Sequence, residues 1–170
     1  MILPVMKEPN PILRQKAVAV TEITPKIRKL VADMIDTMHA AEGVGLAANQ
    51  VGSSWNIFVA SPDGEKGQEM VFINAVLSGA KGKELKTEGC LSVPGVSAKI
   101  FRHTQITVTA LDLEGKKRKI TATDLLAQIF QHEVGHLQGK LYIDLLPGEE
   151  NAAILKKYRA ISETLGKIKL

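Results

Sequence analysis

His132 and His136 stand four residues apart, with Glu133 directly after the first, in the run His132-Glu133-Val134-Gly135-His136. On a helix this spacing stacks both imidazoles on one face, a turn apart, where they can grip a single metal ion. Glu133 then projects alongside, close enough to take a proton from a water at that ion. Two ligands, one base and a shared water are the requirements of a metal-dependent hydrolase. An ordinary amphipathic helix with two surface histidines would carry the same letters. Gly135 inside the pattern is also a poor helix residue, costing about 1 kcal/mol relative to alanine.

A catalytic metal site needs a third protein ligand and an open position. One continuation, His-x-x-Gly-x-x-His, has its glycine at Gly139 but Tyr142 where a third histidine would stand. Glu149, Glu150 and Glu163 lie downstream, where some proteases find a glutamate ligand. His39 and His103 are isolated and expected to be structural or exposed. Cys90 is the one cysteine, so no intramolecular disulfide can form. It sits in Glu88-Gly89-Cys90-Leu91-Ser92-Val93-Pro94-Gly95, where Gly89 permits close backbone approach and Pro94-Gly95 suggests a turn. As a thiolate Cys90 can ligate a metal; otherwise it is a small buried apolar residue.

A third segment, Gly43-Val44-Gly45-Leu46-Ala47-Ala48-Asn49-Gln50, imitates a dinucleotide-binding fingerprint. That fingerprint must follow a strand and open a helix. Here it follows a helix and leads toward a strand, so a close-approach loop is the better reading. Gln50 in it offers a neutral amide able to donate to a developing negative oxygen.

The elements that must position these residues are legible in outline. Thr24-Pro25 predicts a helix start, followed by Ile27, Leu30, Val31, Met34, Ile35 and Met38 at helical spacing, with Gly43 as the cap. Residues 55–60 read as a strand, Ser61-Pro62-Asp63-Gly64 as a turn, and Met70 to Ile73 as a second short strand. Ile106 to Leu113 and Lys117 to Thr121 read as a hairpin. Thr123 should cap a helix from Asp124 to Gln138, stopped by Gly139. A last helix carries Ile154, Tyr158, Ile161 and Leu165 on one face. Helices and antiparallel strands mixed without regular alternation predict an α+β fold, with β-sheets packed around a central helix that carries the histidines and with a C-terminal helix.

The 170 residues suit one domain, 1–170, with an ordinary 45% hydrophobic and 24% charged composition and few aromatics. No apolar run reaches the ~18–20 residues of a membrane span, and the N-terminus lacks the pattern of a secretory signal. A cytoplasmic protein without a membrane partner is expected. The net charge of +4 is too mild to indicate direct nucleic-acid specificity.

Taken together, the three motifs resemble the peptide deformylase family, which has Gly-x-Gly-Leu-Ala-Ala-x-Gln, Glu-Gly-Cys-Leu-Ser and Gln-His-Glu-x-x-His in this order. They correspond to Gly43–Gln50, Glu88–Ser92 and Gln131–His136, with similar spacing and a similar start at Pro9-Asn10-Pro11-Ile12-Leu13-Arg14. Many members carry Asp where this chain has Gly135, so a contact around the metal is expected to be missing. The resemblance implies a hydrolase that removes the formyl group from N-formylmethionyl nascent peptides. It implies Cys90, His132 and His136 as ligands of one divalent ion, Fe²⁺ in the cell, with Zn²⁺, Ni²⁺ or Co²⁺ able to take its place. Glu133 would be general base and acid, and the Gln50 amide and Leu91 backbone N–H would stabilise the oxyanion. Gly45 would let the peptide lie close in an extended pose. Val44, Leu125 and Ile129 would line the methionine pocket, the latter two because they precede His132 by seven and three on one helical face. Lys156, Lys157, Arg159, Lys167 and Lys169 form a basic C-terminal helix that, as in related bacterial enzymes, would approach the ribosome.

Overall fold

The computed structural model describes residues 1–168. Helix α1 spans Pro25–Ala40, and Thr24 Oγ1 accepts the Ile27 N–H at 3.3 Å, as the N-cap reading expects. Its stripe of Ile27, Val31, Met34 and Met38 is buried. The left-handed residue after the helix is Glu42 (φ 55) rather than Gly43, which instead donates its N–H to Met38 O at 2.9 Å.

Five strands form one antiparallel sheet in the order β1-β2-β3-β6-β7: β1 Gly45–Ala47, β2 Ile57–Ala60, β3 Met70–Lys81, β6 Gln105–Leu111 and β7 Lys117–Thr123. β2 shows how the sheet is covered on both faces. Successive side chains on a strand point to opposite sides. Ile57 and Val59 pack with the α1 stripe, whereas Phe58 and Ala60 join the second helix. That helix, α2, spans Asp124–Leu137 and ends at Gly139 (φ 78). Phe130 on α2 meets Phe72 edge-on at 5.1 Å, and Phe72 stacks on Phe58 at 4.5 Å. Thr123 sits at the cap position but accepts no backbone bond there; its hydroxyl turns to Asp124 Oδ2 at 3.3 Å.

Besides the three-residue β1, which falls in the segment read as a loop, two strands were not anticipated. β4, Glu84–Cys90, and β5, Val93–Arg102, pair as a separate two-stranded sheet. The turn lies at Leu91-Ser92, so Pro94 and Gly95 belong to β5 and do not close a turn. Proline is tolerated because a two-stranded sheet is all edge and need not use its N–H. Likewise β3 is 12 residues long, and pairing with β6 carries it through Ser78-Gly79-Ala80, which have little strand preference of their own.

Helix α3 spans Gly148–Ile168. It buries Tyr158 and rests Ile154 and Ile161 against β5 and the Tyr142–Leu145 turn, while Leu165, further along the same face, is half exposed. The class is α+β as expected. Among the described residues no helix is long and apolar enough to cross a membrane.

Candidate active site

α2 presents His132 and His136 toward the end of β4. His136 Nε2 lies 3.2 Å from His132 Nε2 and 3.2 Å from Cys90 Sγ. These are the three donors among the described residues that converge as a metal-ligand group. Bonds of about 2.0–2.3 Å in a tetrahedral set would space such donors about 3.3–3.6 Å apart, so the cluster fits a divalent ion with little movement. A thiolate and two imidazoles are a donor set that several first-row metals accept. Glu149, Glu150 and Glu163 are exposed on α3 and stand outside the cluster, which removes the protease-like ligand set. His39 is tied to Glu69 at 2.6 Å, and exposed His103 contacts Gly82 O at 3.0 Å.

Glu88 completes the arrangement, and the sequence reading assigned it no role. Its Oε1 lies 2.6 Å from His132 Nδ1, and its two oxygens take the Arg102 Nε and Nη2 donors at 2.6 and 2.8 Å. Burial pushes the Glu88 carboxyl up, but the Arg102 and His132 hydrogen bonds outweigh this and hold it at about 2. Burial opposes charge on His132 too, yet contacts with Cys90 and Glu88 push it up to about 10. The Glu88 carboxylate favours a cation at His132, whether a proton or a metal. Burial, followed by the His132 charge, keeps His136 neutral. Glu88 stands two residues before Cys90, across a register irregularity at the end of β4, and both side chains reach the histidines of α2. That placement was invisible while this segment read as a loop.

Glu133 is buried, and its Oε2 has no hydrogen-bond partner. Burial raises its carboxyl to about 7, against the His132 charge. Gly45 faces it so closely that a Cβ there would stand 2.7 Å from Glu133 Oε1. The glycine-rich segment is therefore a short strand followed by a 3₁₀ turn, Ala48–Val51, rather than an open loop. That turn fixes Gln50. Its Oε1 accepts the Ala47 N–H at 3.0 Å, and its Nε2 points to Ser92 Oγ at 3.1 Å and Cys90 Sγ at 3.6 Å. The neighbouring Asn49 donates from Nδ2 to His136 O at 2.7 Å and so ties this turn to α2.

A cleft of about 560 Å³ runs over these groups. Val44, Gly45, Gln50, Cys90, Leu91, Leu125, Ile129, His132 and Glu133 all line it, while His136 is buried and does not line it. Val44 and Leu125 are partly exposed and Ile129 is buried, giving one wall an apolar character.

Residues 2–152 match the family model for polypeptide deformylase. The chain belongs to the polypeptide deformylase family. It is 50% identical over 143 residues to the peptide deformylase of Symbiobacterium thermophilum, a match covering 84% of this chain and 66% of that protein. The peptide deformylase of Halothermothrix orenii is 46% identical over 144 residues, covering 84% and 92%. Among solved structures, a peptide deformylase from Legionella pneumophila superposes with a TM-score of 0.94 at 36% identity, covering 98% of both chains. One from Thermus thermophilus gives 0.87 at 38% identity, covering 94% and 95%. The deformylase fold and the Cys90, His132 and His136 cluster make the chain a metal-dependent amide hydrolase of that family.

Proposed function

We propose that the chain removes the formyl group from N-formylmethionine at the start of nascent peptides, releasing formate and a free amino terminus. The observation that carries this reading is that Gln50 and Glu133 line one cleft with Cys90 and His132, two members of the three-donor cluster. A bound divalent ion, ferrous iron in the cell with zinc, nickel or cobalt as substitutes, supplies Lewis acidity and lowers the pKa of water in the site. Glu133 accepts the proton of the attacking water and returns one to the amine as the formyl C–N bond breaks. Gln50 Nε2 and the Leu91 N–H donate to the formyl oxygen as it becomes an oxyanion. β1 is an edge of the sheet, so an extended peptide can pair beside it, with Gly45 leaving room at the first residue. Val44, Leu125 and Ile129 take the methionine side chain.

The whole chain acts as one catalytic domain in the cytoplasm, where formylated nascent chains emerge. The exposed Lys156, Lys157 and Arg159 of α3 approach the ribosome; Lys169 lies outside the described residues, as does the Lys167 side chain. Ribosome affinity should fall steeply with added salt, and affinity indifferent to salt would remove this contact.

Anaerobic purification, metal analysis and formate release from formyl-Met peptides test the reading. Wild type should contain one ion and release formate. Cys90→Ala should lose both, whereas Glu133→Ala should keep the ion and release none. A metal-loaded wild type that releases no formate would overturn the proposal.

A further inference from the structure

A second cleft, of about 410 Å³, opens on the other side of α2 from the substrate groove. Gly135 lies on its wall, and a Cβ built there meets nothing within 4 Å. The cleft reaches the back of His132 and is lined by Leu77, Ile106, Leu141 and Leu145 on its apolar side. At its polar side stands Arg102, whose side chain is only 10% exposed. Glu88 engages Nε and Nη2 of this guanidinium, leaving Nη1 uncommitted among the described residues. Lys140 adds a second cation at the rim. The acid in the lining, Asp144, is already held by Arg14 Nη1 at 2.6 Å and by the Leu141 N–H at 2.9 Å.

We propose that this cleft is a binding site for a short aliphatic carboxylate. An arginine whose side chain is largely buried and whose Nη1 donor is left free by Glu88 favours a single anionic head group, because a charge-assisted hydrogen bond is stronger than a neutral one. Apolar walls on the opposite side favour a hydrocarbon tail, and the volume lies within the range of small-molecule sites. The absent side chain at position 135 is what keeps the cleft open. The cleft shares only His132 with the groove that holds Gly45 and Leu125, and its occupancy does not depend on the identity of the peptide substrate.

The test is amide NMR of the zinc-loaded chain titrated with hexanoate. Saturable shifts are expected at Gly135, Leu77 and Leu145, with hexanol binding at least tenfold more weakly. Gly135→Leu should weaken hexanoate at least tenfold by filling the cleft. Leu145→Glu, at a position 55% exposed, should weaken it at least fivefold by repulsion without touching the core. Should Gly135→Leu fail to fold, Leu145→Glu decides alone. Acetyl-leucine mimics a peptide C-terminus, and binding tighter than hexanoate would reassign the site to peptides and overturn the free-acid proposal. So would shifts confined to Gly45, Cys90 and Leu125, which would place the acid at the metal, or hexanoate affinity unchanged in the variants.

Discussion

A methyl group added at Gly45 would stand 2.7 Å from Glu133 Oε1 and 3.1 Å from its Cγ. Glu133 is buried and cannot swing freely aside, so the methyl group must redirect the carboxylate while leaving the ligands alone. Gly45→Ala should therefore lower kcat by about 10²-fold, the order of loss that a misplacement near 1 Å produces. Metal analysis should find the full complement of ion; loss of metal together with activity would mean that Gly45 supports the ligands instead. Glu88→Gln should fail differently. It removes the anion shared by His132 and Arg102, loosening one ligand and leaving a buried guanidinium unpaired. Metal affinity measured against a competing chelator should fall about 10–100-fold, and an unchanged affinity would deny Glu88 its orienting role. His132 and His136 were legible from residue type and spacing because they lie on one helical turn, whereas Cys90 stood among other candidates until the family resemblance singled it out. Glu88 was not legible, because its partners His132 and Arg102 come from other elements and become neighbours only on folding.

The two glycines at the end of α2 should respond to alanine with opposite signs. Gly135 is helical with open space around its missing Cβ, so Gly135→Ala should stabilise the chain by about 0.5–1 kcal/mol through helix propensity. Gly139 has φ 78, and a Cβ there would lie 2.5 Å from the Arg14 carbonyl oxygen. Gly139→Ala should cost about 1–3 kcal/mol, as a side chain forced into a left-handed, crowded position does. Urea unfolding of both variants checks the pair, and equal shifts of the same sign would contradict this account. The helices themselves were readable from their period and from two caps: Thr24 does cap α1 and Gly139 does stop α2, although Thr123 makes no capping bond and Glu42, not Gly43, takes the left-handed position after α1. β4 and β5 were not. Lys86, Thr87 and Glu88 blur any apolar alternation, and Pro94-Gly95 carries the letters of a turn. Only the pairing Lys86↔Ile100 and Thr87↔Lys99 makes them strands.

The molecule joins two packed units at the metal ligands. The five-stranded sheet, with α1 and α2 on its faces, holds most of the apolar core. The β4–β5 pair instead packs Val93, Val96 and Ile100 against Leu141, Tyr142, Ile143 and the Tyr158 of α3. Across the seam run Cys90 Sγ to His136, Glu88 to His132, Gln128 Nε2 to Thr87 O at 3.0 Å, and Gln50 to Ser92. A divalent ion on Cys90, His132 and His136 thus ties β4 to α2, and its binding energy is stability that the metal-free chain lacks. Removing it should not loosen the molecule evenly. Hydrogen exchange after anaerobic chelation should accelerate in Glu84–Arg102, whose two strands pair only with each other. Ile57–Ala60 and Phe72–Ile73, buried between α1 and α2, should keep their protection. A uniform rise across both sheets would show that the units unfold together and that the ion is no local clamp. Unchanged exchange in β4 would show that the hydrogen bonds of Glu88 and Gln128 hold the seam without it.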